Sequence, residues 1–561
     1  MATKLKLVTP VTPRPFLTIV SGLELDSIVV PATGRPRRAK GNGGLPPRPL
    51  ATNDGSIPES SRNNTLTSLA GTMRHRGMSE AAINAALQAE NIAHCMPPLD
   101  PSEVNAIAAS IMRYAAADPD KLLKSLTDTG NAARFAARYK DRVRFVHGRG
   151  WVIWDDLRWQ HDATGQIMEL AKELAHTIHN EGVGTNQDDV RKGVAKHAKA
   201  SLQAGKLNAM LDLAESEPML AAQPLQLDVH DLLLGVANGV VHLKTGELQP
   251  PRREDMLTLH STVSFDAAAQ CPLFLAFIDQ VTGGDIELAN FLQRVVGYSL
   301  TGLTSEQCLF FLYGNGLNGK STFLNVVKAV LGSDLAKQTP TETLMVKRPS
   351  ATNDIARLQN VRVVIANEVE DGSLLAESLV KNMTGGEAMT AKFHYAEYFE
   401  FIPKFKLFIA GNHKPTIRGR DNGIWRRIRL VPFVVTITPA QRDPKLQEKL
   451  FTELPGILNW AIQGCLDWQK RGLQAPKVVT DAVSNYRAEM DVIGQWMGEH
   501  CAVAANLESK AGEAYQSYKR WAEQNGYKPL AAGTFGRDLG DRFRRIERKD
   551  GNFYEGFKCR L

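Results

Sequence analysis

The stretch Tyr313-Gly-Asn-Gly-Leu-Asn-Gly-Lys-Ser-Thr322 constrains this chain more than any other. A short apolar run, Leu309-Phe310-Phe311-Leu312, leads into it. Phe323, Leu324, Val327, Val330 and Leu331 follow at helical spacing. The pattern predicts a strand, a tight Gly-rich turn and a helix. Gly314, Gly319, Lys320 and Ser321 satisfy G-x-x-x-x-G-K-[ST]. Glycines let the backbone curl until consecutive N–H groups converge on phosphate oxygens. The helix N-terminus behind them adds partial positive charge. Gly314, Asn315, Gly316, Leu317, Asn318, Gly319, Lys320, Ser321 and Thr322 therefore form a candidate phosphate cradle. Lys320 is placed to reach the β- and γ-phosphates of ATP, and the Ser321 hydroxyl to meet Mg²⁺. A chance match is disfavoured by the strand before the turn and the helix after it.

With 561 residues, the length suggests several domains. The net charge of +7 and pI near 8.9 are compatible with a polyanionic partner without requiring one. Six scattered cysteines, with no C-x-x-C pair, argue against zinc ribbons and disulfide frameworks. No apolar run approaches the roughly 20 residues of a membrane span, and the N-terminus lacks a secretion signal. A soluble cytoplasmic protein is expected.

Residues 1–56 read as a basic, Pro/Gly-rich tail. Eight Lys/Arg oppose Glu24 and Asp26 over the first 50 positions, and a solvated tail is at least as good a reading as a nucleic-acid contact. Residues 57–116 read as a helical module, with helices over 63–76, 79–90 and 102–114. Ser79 is placed as a helix start. Through Arg62-Asn63-Asn64 and its helix spacing, the module resembles the small helical domain that follows the polymerase domain in phage and plasmid primases. The residues before Ile57 offer only Glu24, Asp26 and Asp54 as acids, too few for a two-metal polymerase site. No primer synthesis by this chain alone is expected.

Residues 117–270 read as a mixed α/β domain. A helix opens at Asp128-Thr-Gly-Asn131, and strands over 142–146 and 151–154 turn at 147–150. Trp151, Trp154 and Trp159 suit base stacking or core packing, and core packing is preferred. Asp228, His230 and Asp231 hint at a metal, but their setting reads better as structure. DTGNAARF, GWVIWDDLRW and NGVVHLKTG resemble the N-terminal region of poxvirus-type and phage-type NTPase helicases.

Residues 271–436 hold the motor. A second apolar strand, 361–366, runs into Asn367-Glu368-Val369-Glu370. An acid at that place orders Mg²⁺ and polarises the attacking water. Glu368 is the first choice and Glu370 the second, against a plain surface acid. A third strand, 406–410, ends in Gly411-Asn412, and Asn412 is the candidate γ-phosphate sensor, against an ordinary turn asparagine. In GRDNGIWRRIRLVPF, Arg426 or Arg427 is the candidate to act on a neighbouring subunit's nucleotide, the other being free for a structural ion pair.

The set YGNGLNGKST, VIANEVEDG, TGGEAMTAKFHY and FIAGNHKPTIRGRDNGIWRRIRLVPF resembles superfamily 3 helicases. The closest likeness is to the phage/plasmid primase-helicase group with its poxvirus-type relatives. The resemblance implies an AAA+-like P-loop NTPase fold, a homo-hexameric ring, and 3′→5′ movement on single-stranded or forked DNA. It also implies a pore hairpin within 381–395, with Lys392 and His394 at the DNA backbone. Glu368 and Glu370 depart from the family pattern, in which the acids are adjacent, so metal and base roles stay open between them.

Residues 437–500 read as a helical lid, or as a plain core-forming bundle. Residues 501–561 read as a winged-helix-like domain with its recognition helix region over 535–545, offering Arg542, Arg544 and Arg545 to DNA. The whole reading is an α/β replicative DNA helicase of a phage or mobile element in a bacterial cytoplasm, with a separate primase or loader as a further partner. The alternatives are an ATP-regulated origin-binding initiator and the helicase part of a primase-helicase.

Overall fold

The computed structural model describes residues 57–75, 77–112, 119–182, 187–346, 352–393, 397–419 and 422–560. The basic tail and His394 lie outside them. The chain divides into two compact units, Met1–Ala117 and Asp118–Leu561.

In the first unit, helices Arg62–His75, Glu80–His94 and Pro101–Ile111 close over Leu66, Ala70, Ile83, Leu87, Val104 and Ile107. Ser79 caps the second helix by accepting from Ala82 N, and Asp100 with Pro101 starts the third. Arg62 is a clamp: its guanidinium donates to Glu59 O and to Pro97 O and Pro98 O in the connection before the third helix.

The second unit is mixed α/β. Its first part sets helices Asp128–Tyr139, Gln166–Thr177 and Ala204–Ala214 against a four-stranded sheet. Thr127 caps the first of these helices. Trp159 and Trp154 are buried, Trp151 is half-buried, and Trp159 Nε1 donates to Arg253 O at 2.9 Å. The tryptophans are core. Asp228 caps Thr258 through its backbone N–H and hydroxyl, and Asp231 pairs with Lys404 at 2.7 Å. No group of three or more His, Cys, Asp or Glu among the described residues could hold a metal.

Five parallel strands form the centre: β1 Leu309–Tyr313, β2 Ala336–Pro340, β3 Val363–Asn367, β4 Lys406–Gly411 and β5 Ile428–Pro432, in the order β2-β3-β4-β1-β5. Both faces of the inner strands are covered, so β1, β3 and β4 are largely continuous apolar runs rather than alternating. Phe310 and Leu312 point into one core with Phe323, Val327 and Phe408. Leu309 and Phe311 point into the other with Val364, Leu407 and Leu430. Fully burying each such side chain is worth about 1.5–3 kcal/mol.

Helix Leu454–Arg471 belongs to the first of these cores. It crosses helix Ile286–Ser299 where Gly297 meets Gly464-Cys465, so closely that a Cβ on Gly297 would lie 2.0 Å from Cys465 N. Arg294, buried there, donates to Leu473 O and pairs with Asp467 at 3.2 Å.

Two expectations need correction. The first residues of the segment 381–395 do not belong to the hairpin. Gly386, at φ +80°, stops helix Glu377–Gly385, which contains Lys381. The hairpin itself is Met389–Lys392 paired with Tyr398–Phe401. In the C-terminal part, the expected recognition helix over 535–545 runs instead over Ala532–Gly540, and Arg542, Arg544 and Arg545 follow it. There a three-stranded antiparallel sheet (Cys501–Lys510, Gly551–Cys559, Arg545–Arg548) packs on helices Val492–His500, Ala511–Gln524 and Ala532–Gly540 around Trp496, Tyr518, Phe535 and Phe557. Among the described residues, no helix is long and apolar enough to cross a membrane.

Candidate nucleotide site

The strand register builds the site. Tyr313 pairs with Gly411 and with Pro432, while Asn367 pairs with Ala410. The carboxyl ends of β1, β3 and β4 therefore finish at one level, and the residues just beyond them converge. In parallel sheets, this edge is where ligands bind. A cleft of about 510 Å³ lies there, lined by Gly316 to Thr322, Asn367 to Val369 and Ala410 to His413.

Loop geometry explains the sequence pattern. Gly316 and Gly319 have φ of +94° and +84°, values that L side chains resist. Gly314 has ordinary φ but no room, since a Cβ would lie 2.1 Å from Phe433 O. Leu317 takes φ +51° at the exposed tip. Gly319 then begins helix α1, Lys320–Leu335.

Lys320 is buried, with 7% of its surface exposed. Its Nζ donates to Gly314 O at 2.8 Å, Asn318 Oδ1 at 2.9 Å and Asn412 Oδ1 at 3.1 Å. Asn318 is fixed in turn by donating to Phe433 O at 2.6 Å. All three acceptors are neutral. Burial pushes the ammonium pKa down, so an anion entering the cleft would gain a charge-assisted partner.

Glu368 lines the cleft and is exposed; its backbone is held at φ +68° by donating to Ala410 O at 3.0 Å. A non-glycine residue in that region costs of order 1–3 kcal/mol and often marks a site. Glu370 is exposed and does not line the cleft. Asn412 does, and joins Lys320 there.

The two candidate arginines differ. Arg427 is buried; its guanidinium donates to Thr384 Oγ1 at 3.2 Å and Gly423 O at 2.6 Å. Arg426 is exposed and touches Gln307 Oε1 at 3.2 Å. Neither lines the cleft.

The DNA candidates also separate. Lys392 Nζ sits 5.0 Å from the centre of the exposed Tyr398 ring. Arg542 is tied to Asp491 by an ion pair. Arg544 and Arg545 are exposed, Arg544 at 82% of its side chain.

Two features escaped sequence reading. β2 is polar (Ala-Lys-Gln-Thr-Pro), and no apolar run announces it. Asn367, passed over beside Glu368, also lines the cleft.

The chain matches three family models: "Primase C terminal 1 (PriCT-1)" over residues 51–117, "D5 N terminal like" over 132–283, and "Family of unknown function (DUF5906)" over 312–427. Curated relatives include "Putative helicase L207/L206" of Acanthamoeba polyphaga mimivirus, 26% identical over 389 residues, which cover 65% of this chain and 39% of that one. "Putative helicase 022R" of Frog virus 3 is 26% identical and shares 42% of this chain and 26% of its own. "Primase D5" of Fowlpox virus is 26% identical over 32% of this chain and 23% of its own. The chain therefore spans well under half the length of these viral proteins. Among solved structures, "The A form apo structure of NrS-1 C terminal region-CTR" aligns at 10% identity and a TM-score of 0.34, covering 54% of this chain and 79% of that one. The tandem domain matches and the viral relatives together support a D5-type primase-helicase family protein.

Proposed function

We propose that the chain is the motor of an ATP-dependent, ring-forming DNA helicase of superfamily 3, which unwinds duplex DNA by moving along one strand. One observation carries the reading. The strand order β2-β3-β4-β1-β5 brings the Gly-rich loop, Glu368 and Asn412 to a single cleft. That convergence supports an AAA+-like P-loop core, in which the loop would hold the phosphates of a nucleoside triphosphate.

In this reading the loop N–H groups and Lys320 hold the phosphates. Glu368 accepts a proton from the attacking water, and Asn412 orients the water or the γ-phosphate. Catalysis here is mainly positioning and charge stabilisation. The oxygen donors of the cleft fit Mg²⁺: the Ser321 hydroxyl, the Glu368 carboxylate and the Asn367 amide. When bound, Mg²⁺ neutralises charge on the phosphates. Arg426, exposed outside the cleft, suits a role on a neighbouring subunit's nucleotide, and Arg427 braces the loop behind it. In this reading the ring is a hexamer of identical chains. The hairpin carrying Lys392 would face single-stranded DNA in the pore. The C-terminal sheet and helices would form a winged helix that meets DNA through Arg544 and Arg545. A primase or loader would act from a separate chain.

The test is unwinding of a forked DNA duplex with ATP and Mg²⁺, wild type beside Lys320→Ala. Strand release by wild type alone is the expected result. ATPase activity stimulated by single-stranded DNA, but without strand release, would favour the initiator reading instead. Full ATPase activity in the Lys320 variant would remove the site assignment.

A further inference from the structure

The C-terminal part holds two of the six cysteines side by side. Cys501 opens the strand Cys501–Lys510 and Cys559 closes the strand Gly551–Cys559, and the two residues face each other in register. Arg560 N donates to His500 O across the pair. The pair is therefore a non-hydrogen-bonded one, the kind whose Cα atoms stand about 4.5 Å apart. That separation lies within the range a disulfide spans. The two sulfurs lie 3.8 Å apart, and both thiols are free. No spacing in the sequence foretells the pair, since 58 positions separate its members.

The two thiols are unequal. Cys501 is buried, and its thiol donates to the Cys559 sulfur. Cys559 is half-buried and open to solvent on one side. Its sulfur also accepts from the Ser509 hydroxyl at 3.8 Å, and that hydroxyl accepts from the Cys559 N–H at 3.1 Å. The bond from Cys501 outweighs burial, and with the Ser509 and Ser517 hydroxyls it draws the Cys559 pKa below the ordinary 9.0. The same bond, together with burial, pushes the Cys501 thiol up. Elsewhere burial pushes Cys271 up to about 11 and Cys308 and Cys465 up to about 12. Thiolates react and thiols do not, so Cys559 is the attacking sulfur of the pair, and Cys501 is the sulfur in reach of it.

We propose that Cys559 is a thiol-modification site that reacts with small-molecule disulfides of the glutathione kind, and that Cys501 resolves the adduct into a Cys501–Cys559 disulfide. The Cys559 thiolate attacks one sulfur of the oxidant, the oxidant's S–S bond breaks, and one thiolate leaves. Cys501 then gives up its proton and attacks the Cys559 sulfur, and the second thiolate leaves. The two cysteine protons end on the two released thiols. The protein loses two electrons, and the oxidant gains them. The new bond joins the first and last strands of the C-terminal sheet. Arg545 pairs with Tyr554, five residues before Cys559 on the same strand and so about 17 Å from it. The crosslink therefore leaves Arg544 and Arg545 uncovered. What it changes is how freely the domain opens, because a crosslink removes chain entropy from the opened state.

The test treats the reduced full chain with glutathione disulfide and maps the cysteines by peptide mass spectrometry. Cys501 is expected to be joined to Cys559, with Cys95, Cys271, Cys308 and Cys465 still free. Cys501→Ser is expected to stop at a glutathione adduct on Cys559, which dithiothreitol removes. Cys559→Ser is expected to leave Cys501 unmodified. In wild type the crosslink should slow amide hydrogen exchange of the strand Gly551–Cys559 by about 10-fold or more, and reduction should restore the rate. Brief alkylation of the unmutated chain with iodoacetamide is independent of how the variants fold. It should label Cys559 at least about 10-fold faster than any other cysteine. Equal labelling of all six cysteines, or no reaction at Cys559, would overturn the site. A lasting adduct on Cys559 in wild type, without the crosslink, would overturn the role of Cys501. A crosslink that left exchange unchanged would overturn its effect on opening.

Discussion

Lys320 Nζ lies 3.1 Å from Asn412 Oδ1, joining two residues 92 positions apart at the head of the central sheet. The contact ties the Gly-rich loop beyond β1 to the end of β4, so one hydrogen-bonded pair spans the place where the terminal phosphates of a bound triphosphate would lie. A lysine held only by neutral oxygens in a buried place is poised to exchange one of them for phosphate.

The pair separates binding from turnover. Lys320→Ala is expected to lose nucleotide affinity and ATPase activity together. Asn412→Ala is expected to keep KM for ATP within about 3-fold and to lower kcat about 100-fold, the scale seen when one preorganised polar group leaves a reacting centre. Steady-state ATPase assays with and without single-stranded DNA check both. An Asn412 variant with wild-type kcat would leave that residue as a simple turn asparagine.

Arg426 and Arg427 should part in stability and in kinetics. Arg427→Ala removes a buried guanidinium bonded to Thr384 and Gly423, and about 2–4 kcal/mol of destabilisation is expected. Arg426→Ala should melt like wild type and lose ATPase activity. If Arg426 acts across a subunit boundary, mixing the Arg426→Ala and Lys320→Ala chains should restore part of the activity that neither has alone. Melting curves and mixed-subunit ATPase assays check this.

How much of this was legible beforehand follows from the physics of each element. β1, β3 and β4 are buried on both faces, so each is an apolar run ending in polar residues, and the cleft's position can be read from those endings. β2 is polar, and only its pairing with β3 reveals it. Trp159 and Trp154 could be assigned to the core because packing is the commoner use of tryptophan, and both are buried. The roles of Arg426 and Arg427 were not separable, because adjacent identical residues differ only in which way the chain turns them. Where the hairpin starts within 381–395 was not legible for a related reason: a glycine at positive φ, as at Gly386, ends a helix as readily as it makes a turn.

Lys406 begins β4 with its ammonium buried, donating to Thr301 O, Leu303 O and Lys404 O and lying 4.9 Å from the Tyr298 ring centre. Burial, reinforced by Arg362, holds its pKa well below the ordinary 10.5. The unfolded chain keeps this proton up to about pH 10.5, and the folded chain releases it earlier. Between those two values the unfolded state binds more protons, so stability rises with pH through that window, and the full cost of burying the charge is felt below it. Lys406→Met should flatten this rise. Urea midpoints for both chains at pH 7, 8.5 and 10 check it, and parallel pH profiles would show that Lys406 is not the source.

The C-terminal arginines make the last separation. Arg542 is bound to Asp491 at the root of helix Val492–His500, while Arg544 and Arg545 stand exposed where the chain enters the strand Arg545–Arg548. A phosphate contact releases counterions, so each one lost lowers the salt slope of binding by about one unit. Arg544→Ala with Arg545→Ala should weaken DNA binding at low salt, flatten the slope of log K against log salt by about 2, and leave the melting midpoint unchanged. Arg542→Ala should do the reverse: a lower midpoint from a broken, partly buried ion pair, with the salt slope kept at temperatures where the domain is folded. Duplex binding by fluorescence anisotropy over a salt series distinguishes the two. If the double variant binds with an unchanged slope, the basic surface is solvated and the DNA contact lies elsewhere on the chain.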